Sequence, residues 1–358
     1  MTEDVYGKLQ KHLDTFMASA PEADALFEIL KIRFMPQEAE VALMLKQSLK
    51  TLPELVQDTQ VDEETLQAIL EEMADKALVF KQTKTIDGVS QAAYSLLPTA
   101  VGLWETSFAK GEKTPETERL ARHWREYYKQ GWGKAFFSSG VPFTRVIPVS
   151  RSVKSQQQVY SYEQAAELIK QQGYACVLHC PCRKAAELDG KGCGKPTEVC
   201  MHFGGLAKFF VEKEYAKEIT LEEALEILDM TEKAGLMHMV GNSKEMGVAM
   251  CSCCSCCCTQ FSAIKEMQVA EPVARSRFVV QVDEALCIGC GICEKKRCMV
   301  EAIAVVEGIA QVNAERCFGC GLCITACPEE ALLLQEKEDY QEPVDTGMEL
   351  LQTFMKKG

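Results

Sequence analysis

Two short runs near the C-terminal end bring cysteines together at spacings that suit soft metals. CIGCGICEKKRC holds Cys287, Cys290, Cys293 and Cys298, and CFGCGLCITACP holds Cys317, Cys320, Cys323 and Cys327, followed by Pro328. A cubane of iron and sulfide needs four thiolates converging on one small volume. Two residues between successive cysteines let a tight turn deliver three of them, and the fourth must come from elsewhere. Gly289, Gly291, Gly319 and Gly321 stand between the cysteines. There the backbone must fold tightly and aim N–H groups at the sulfurs, which glycine does without steric cost. A pair of zinc knuckles is the alternative. Zinc pairs two such turns in a tetrahedron and has no use for a third cysteine at the same spacing.

Over residues 277–336 the chain resembles a bacterial dicluster ferredoxin. The resemblance implies two 4Fe–4S clusters. One is held by Cys287, Cys290, Cys293 and Cys327, the other by Cys317, Cys320, Cys323 and Cys298. The first run departs from the pattern, with four residues, EKKR, before Cys298 where three are usual, and Met299 in place of proline. One extra residue can bulge outward without moving the thiolate, so Cys298 stays in the set. Each run is expected to lead into a helical turn, at 300–303 and 329–332, with strands at 278–282 and 331–334 flanking the pair. The whole chain is similar to multidomain 4Fe–4S binding-domain proteins of anaerobic bacteria and archaea, in which such a module is appended to a cysteine-rich domain.

Eight of the nineteen cysteines lie in these runs, and the others concentrate in the middle of the chain. HCPCRKAAELDGKGCGKPTEVCMHFG holds Cys180, Cys182, Cys193 and Cys200, with Arg183, Lys184, Lys191 and Lys195 crowded around them. Cations and N–H donors stabilise an anionic cluster, so an additional iron–sulfur centre is expected here. A structural zinc loop is the alternative. His179 and His202 flank these cysteines and are read as hydrogen-bond partners, and Cys176 as a small buried hydrophobe. CSCCSCCC packs Cys251, Cys253, Cys254, Cys256, Cys257 and Cys258 into eight residues. Were it extended throughout, Cys251, Cys253 and Cys257 would share one face and Cys254, Cys256 and Cys258 the other. Thiolates from the preceding run would complete the set, and a soft-metal trap is the alternative.

The elements that must position these thiols follow from periodicity. The fold class expected is α+β multidomain, in five segments: a winged-helix-like domain (1–105), a helical connector (106–150), a cysteine-rich α/β unit (151–270), the ferredoxin-like module (271–336) and a tail (337–358). The first segment reads helix, helix, helix, then two strands around Asp87-Gly88. Between Leu52 and Leu97 three lysines face nine acids, and the helix opening at Asp62 carries Glu63 and Glu64. DNA would repel such a helix, so the domain is expected to serve protein interaction or dimerisation. Trp104, Trp124, Trp132, Tyr127 and Tyr128 of the connector are read as packing. In the middle unit, helices at 161–173 and 221–235 are each followed by a strand. A short amphipathic helix, Met348 to Lys357, closes the chain.

The chain has 358 residues, 47% hydrophobic and 25% charged, with net charge −13, which disfavours a general polyanion binder. No apolar run is long enough to span a membrane. The first residues, MTEDVYGKLQ, are polar and acidic and do not read as an export signal. Cysteines at metal-ligand spacing without such a signal point to the reducing cytoplasm. The function expected is iron–sulfur electron transfer with redox partner proteins, as a relay or as a subunit of an anaerobic oxidoreductase. The alternatives are a redox- or oxygen-responsive regulator and a small-molecule reductase. No catalytic acid–base set stands out. His238 and Asn242 are the one polar pair of interest, read as satisfied core residues.

Overall fold

The computed structural model describes residues 4–59, 61–138, 140–149, 152 and 163–357. These form two compact units, each built from several stretches of chain. One comprises residues 1–136, 178–193 and 205–218; the other comprises 137–177, 194–204 and 219–358. Among the described residues no helix is long and apolar enough to cross a membrane.

The first unit opens with helices Val5–Asp14, Asp24–Arg33 and Pro36–Ala42, whose apolar stripes (Leu9 and Leu13; Leu26, Ile29 and Leu30; Val41) are buried. Helices Leu52–Thr59 and Glu63–Asp75 follow. Asp62 caps the longer one by accepting from the Thr65 N–H at 2.9 Å, the role that favours Asp at this position. Strands Val79–Ile86 and Val89–Leu96 form an antiparallel hairpin, and Lys50–Thr51 adds a third strand beside Val89–Leu96. The connecting pair, Asp87 and Gly88, both take positive φ, +51° and +79°, which a two-residue hairpin turn demands. Glu63 and Glu64 are exposed. Glu71 accepts from the Tyr94 hydroxyl and pairs with Lys81 at 2.6 Å.

The aromatic residues of the connector pack as expected. Trp104 and Trp124 meet edge to face at 5.4 Å, and Tyr127 stacks on Trp132 at 5.6 Å. Trp124 Nε1 donates to Ser107 Oγ and Trp132 Nε1 to Thr99 Oγ1, so both buried indoles are satisfied.

The second unit contains a sheet in which Thr144–Ile147 lies between Val273–Ala274, parallel to it, and Met237–Gly241, antiparallel. Met237–Gly241 pairs antiparallel with Ala249–Cys253, which pairs antiparallel with Glu198–Phe203. One face carries Ile147, Met201, Phe203, Val240 and Met250 against helices Ala165–Lys170 and Leu221–Lys233, through Leu168, Ile169, Ala224 and Leu228. The other carries Val146, Met237, Met239 and Cys253 against Phe261 of helix Thr259–Met267, Phe318 and Leu322. The expected helix over 161–173 is described from residue 163 onward, and its helical part is Ala165–Lys170.

Residues 277–336 are zipped at their ends. Strand Phe278–Val282 pairs antiparallel with Leu332–Glu336, and Ile303–Val306 forms a hairpin with Ile309–Val312. The helical turns expected after the fourth cysteines are not there. Residues 303 and 332 begin strands, and the compact turns lie within the runs, at Cys293–Arg297 and Ile324–Ala326. The chain has only a few residues in which to turn from the third cysteine to the fourth, so the coil is needed there. The tail helix Gly347–Lys357 packs Phe354 against Phe143 at 5.6 Å.

Candidate metal centres

The two cysteine runs are built alike up to their third cysteine. Asp283 C=O accepts from the Cys287 N–H, and Asn313 C=O from the Cys317 N–H, so each run starts from the same tight turn. Gly289 and Gly319 hold φ of +63° and +65° at matching positions. A Cβ would fall 2.2 Å from the Gly308 carbonyl oxygen at the first and 2.0 Å from that of Phe278 at the second. Only glycine fits either place.

The fourth cysteine of each run leaves its neighbours. Cys287, Cys290, Cys293 and Cys327 line one cavity, with Ile288, Val305, Ala310, Pro328 and Leu332. Cys317, Cys320, Cys323 and Cys298 line the other, with Met237, Val280, Arg297, Met299 and Phe318. The extra residue of EKKR is absorbed between Cys293 and Cys298. That turn is wide, closed by the Cys298 N–H on the Cys293 carbonyl at 2.9 Å. Its counterpart is closed by the Cys327 N–H on the Ile324 carbonyl at 3.1 Å. A one-residue expansion of a helical turn is the usual outlet for an insertion.

The donors suit a cluster of iron and sulfide. Three backbone N–H groups already point at thiols: Ala302 to Cys298 Sγ at 3.1 Å, Ala310 to Cys287 Sγ at 3.4 Å and Gly319 to Cys317 Sγ at 3.4 Å. Such donors stabilise sulfur-borne negative charge. The Arg297 guanidinium, on the wall of the second cavity, donates to the carbonyls of Leu322 and Lys233. Neither Arg297 nor Met237 was marked by the sequence as part of a site. Alternation in the strand LMHMVGN is the signal that would have aimed Met237 inward.

The cavities differ in exposure. Cys290 is exposed beside Leu286 and Ile288, which are 49% and 64% exposed. Cys317 and Cys323 are buried. Burial pushes the Cys320 thiol up to about 12 and Cys323 well above the usual thiol range. Only a cation such as iron makes thiolates favourable in surroundings of that kind.

Of the earlier run, Cys180, Cys182 and Cys193 belong to the first unit and Cys200 to the second. Cys180 precedes helix Pro181–Leu188, and Cys182 sits in its first turn. The Cys182 thiol in contact with it, then burial, raises the Cys180 pKa well above the usual value, while Arg183 opposes the shift. Arg183 is 2% exposed, as a cation supporting clustered sulfur should be. Lys184 and Lys191 pair with Glu187 and Asp189, and Lys195 donates to the Ala234 carbonyl. Cys193 is half-buried.

CSCCSCCC does not stay extended. Residues 249–253 form a strand, 255–257 turn, and helix Thr259–Met267 starts after Cys258. The expected faces are therefore corrected. The turn brings Cys254, Cys256 and Cys257 together, their sulfurs within 4.8 Å of one another. Cys251, Cys253 and Cys258 gather elsewhere. The thiols of Cys251 and Cys258 both lie in hydrogen-bonding reach of Cys253, raising its pKa together with burial. Serine and a cysteine triplet favour a turn over a strand once the sheet edge is passed.

Cys176 is buried in strand Ala175–His179, and burial pushes its thiol up to about 12, as an inert core thiol requires. His202 Nε2 lies 3.6 Å from Cys200 Sγ, and burial pushes its imidazole down to about 4. His238 Nδ1 meets Ser252 Oγ at 3.2 Å, and Asn242 Nδ2 donates to the Pro142 carbonyl at 3.0 Å. The two are satisfied separately rather than as a pair.

Residues 310–333, which include Cys317, Cys320, Cys323 and Cys327, match the family model described as 4Fe-4S binding domain. No curated protein and no solved structure matches the chain. The chain thus carries an iron–sulfur binding domain near its C-terminal end, beside a second, cysteine-rich region that offers a soft-metal donor set.

Proposed function

We propose that the chain is a cytoplasmic electron-transfer protein with two ferredoxin-type 4Fe–4S centres and at least one more. The observation that supports it best is the sorting of eight module cysteines into two cavities of four, each taking its fourth member from the other run. A bound cubane supplies reversible one-electron chemistry at a potential set by its surroundings. The chain's part is to hold and tune it. Cys287, Cys290, Cys293 and Cys327 ligate the outer centre; Cys317, Cys320, Cys323 and Cys298 ligate the inner one. Ala302, Ala310 and Gly319 donate N–H groups to ligand sulfurs, and Arg297 lends positive charge to the inner wall. Ile288 and Leu286 leave the outer centre accessible to a redox partner, while Phe318 and Met237 keep water from the inner one.

Cys254, Cys256 and Cys257 supply three thiolates of a further centre, whose fourth comes from the run beginning at Cys180. The N-terminal helices and hairpin act as a winged-helix-like module for protein contact or dimerisation. Their exposed Glu63 and Glu64 support that use over DNA binding.

Iron and acid-labile sulfide analysis of anaerobically purified full-length protein tests this reading. At least about eight iron atoms per chain are expected, with more than eight if the middle region is loaded, and two cubane signals on reduction. Zinc without sulfide would refute it. Salt-dependent binding of a specific duplex by the full-length protein would refute the reading of the N-terminal module.

A further inference from the structure

The strands on either side of Ala249–Cys253 each place a sulfur beside it. Met239 stands opposite Cys251, and Met237 opposite Cys253. On the other flank Met201 stands opposite Met250 and His202 opposite Ala249, so the next step of that antiparallel ladder sets Cys200 opposite Cys251. Directly opposed residues share a face of the sheet, and alternate residues along a strand share it too. Cys200, Cys251, Cys253, Met237 and Met239 therefore lie on one face. The reverse face carries Met201, Val240 and Met250, which pack in a different core.

Cys258 comes to the same side. It follows the turn at 255–257 and joins the apolar core that holds Met237, Met239, Cys251 and Cys253. Cys200, Cys253 and Cys258 are at most 5% exposed. Four thiols and two thioethers from three strands and a helix start thus meet in one buried layer. A core that needed only apolar volume would use branched aliphatic residues, as the reverse face does with Ile147, Val240 and Leu228. His202, whose Nε2 lies 3.6 Å from Cys200 Sγ, is placed to orient that sulfur as partners of metal ligands do.

We propose that Cys200, Cys251, Cys253 and Cys258 bind an iron–sulfur cluster of their own, separate from the centre that uses Cys254, Cys256 and Cys257. The assignment takes Cys200 away from Cys180, Cys182 and Cys193, with which its position in the sequence groups it. The same core includes Phe318, Cys320 and Met299, and Met237 lines the inner cavity of the module. The new centre would therefore adjoin the inner one. Its use as the next station for an electron rests on the electron-transfer reading above, whereas the ligand set does not.

The test uses anaerobically purified full-length protein. Cys200→Ser, Cys253→Ser and Cys258→Ser should each remove the same paramagnetic signal and about four iron atoms. Cys256→Ser should leave that signal in place, as should Cys176→Ser, which alters a buried thiol outside the set. The proposal is overturned if Cys200→Ser removes the signal that Cys254→Ser removes, or if it leaves iron unchanged. It is also overturned if the four cysteines hold zinc without sulfide. Where a serine variant fails to fold, the wild-type protein still decides: the reduced inner centre should show spin–spin broadening from the adjoining one, and a resolved, unbroadened signal refutes the placement. Absence of the two module signals from the wild type would refute the electron-transfer reading instead, and would leave the iron count of the Cys200 set to be judged alone.

Discussion

The two cysteine runs of the C-terminal module start from the same turn and the same glycine geometry, yet their cavities differ. The outer cavity has an exposed cysteine and an apolar rim open to solvent. The inner one is walled by Phe318, Met237 and Arg297, and two of its cysteines are buried. Ligand spacing dictates where the thiols go. The packing around each run dictates what a bound centre would experience, and potentials of such centres respond to charge, hydrogen bonds and exposure. Near-identical sequence segments can therefore serve as unequal halves of one device.

The largest effect should separate the halves by stability. Cys323→Ala and Cys290→Ala should each remove about four iron atoms. Cys323→Ala should lower the melting temperature much more, because Cys323 is packed in a core with Phe278, Val280 and Leu334. Equal melting shifts would break the comparison. Acid should act next, and through the sheet that supports the inner side. Burial holds His238 down to about 4, against 6.5 for a free imidazole. The neutral form is favoured on folding, so this term is harmless above pH 6.5 and costs stability as pH falls from there towards 4, by about 3 kcal/mol in the limit. His238→Gln should flatten that acid limb in urea titrations. An unchanged limb would mean that His238 charges without cost.

Smaller effects should sharpen the contrast. A bulky chelator or oxidant should bleach the outer signal several-fold faster than the inner one, and equal rates would deny the difference in access. Arg297→Gln should lower the inner potential by tens of mV, since a lost cation disfavours the added electron, and leave the outer one in place. A shift of both would show that Arg297 acts through the fold. Deleting Lys296 should change least. It restores three residues before the fourth cysteine, and both signals should survive with full iron, which measures the tolerance of the wide turn.

Much of this was legible in the sequence where chemistry acts over short range. The spacing of Cys287, Cys290 and Cys293, and of their counterparts, already carried the cavities, and the alternation of FVVQV carried the strand beside them. Asp87-Gly88 marked its hairpin because few residue pairs tolerate positive φ at both positions. What escaped depended on partners distant in the chain. The turn at 255–257 could not be read from alternation, which assumes that a strand continues. Cys200 was grouped with Cys180 by proximity in sequence, whereas strand register sets it beside Cys251. Arg297 looked like one more surface cation of EKKR until the fold placed it on a cavity wall.

The ladder that pairs Phe278 with Glu336 has a consequence for assembly. It joins the first and last strands of the module, so the apo chain must close a long loop before those strands reward it, a slow and entropically costly step. Each cavity draws thiols from both runs, so loading either one would tether the two halves and shorten the remaining search. Metal delivery and folding would then be a single kinetic event, and a chain made under iron starvation would be left with its two end strands unpaired, as open edges on which other chains can add.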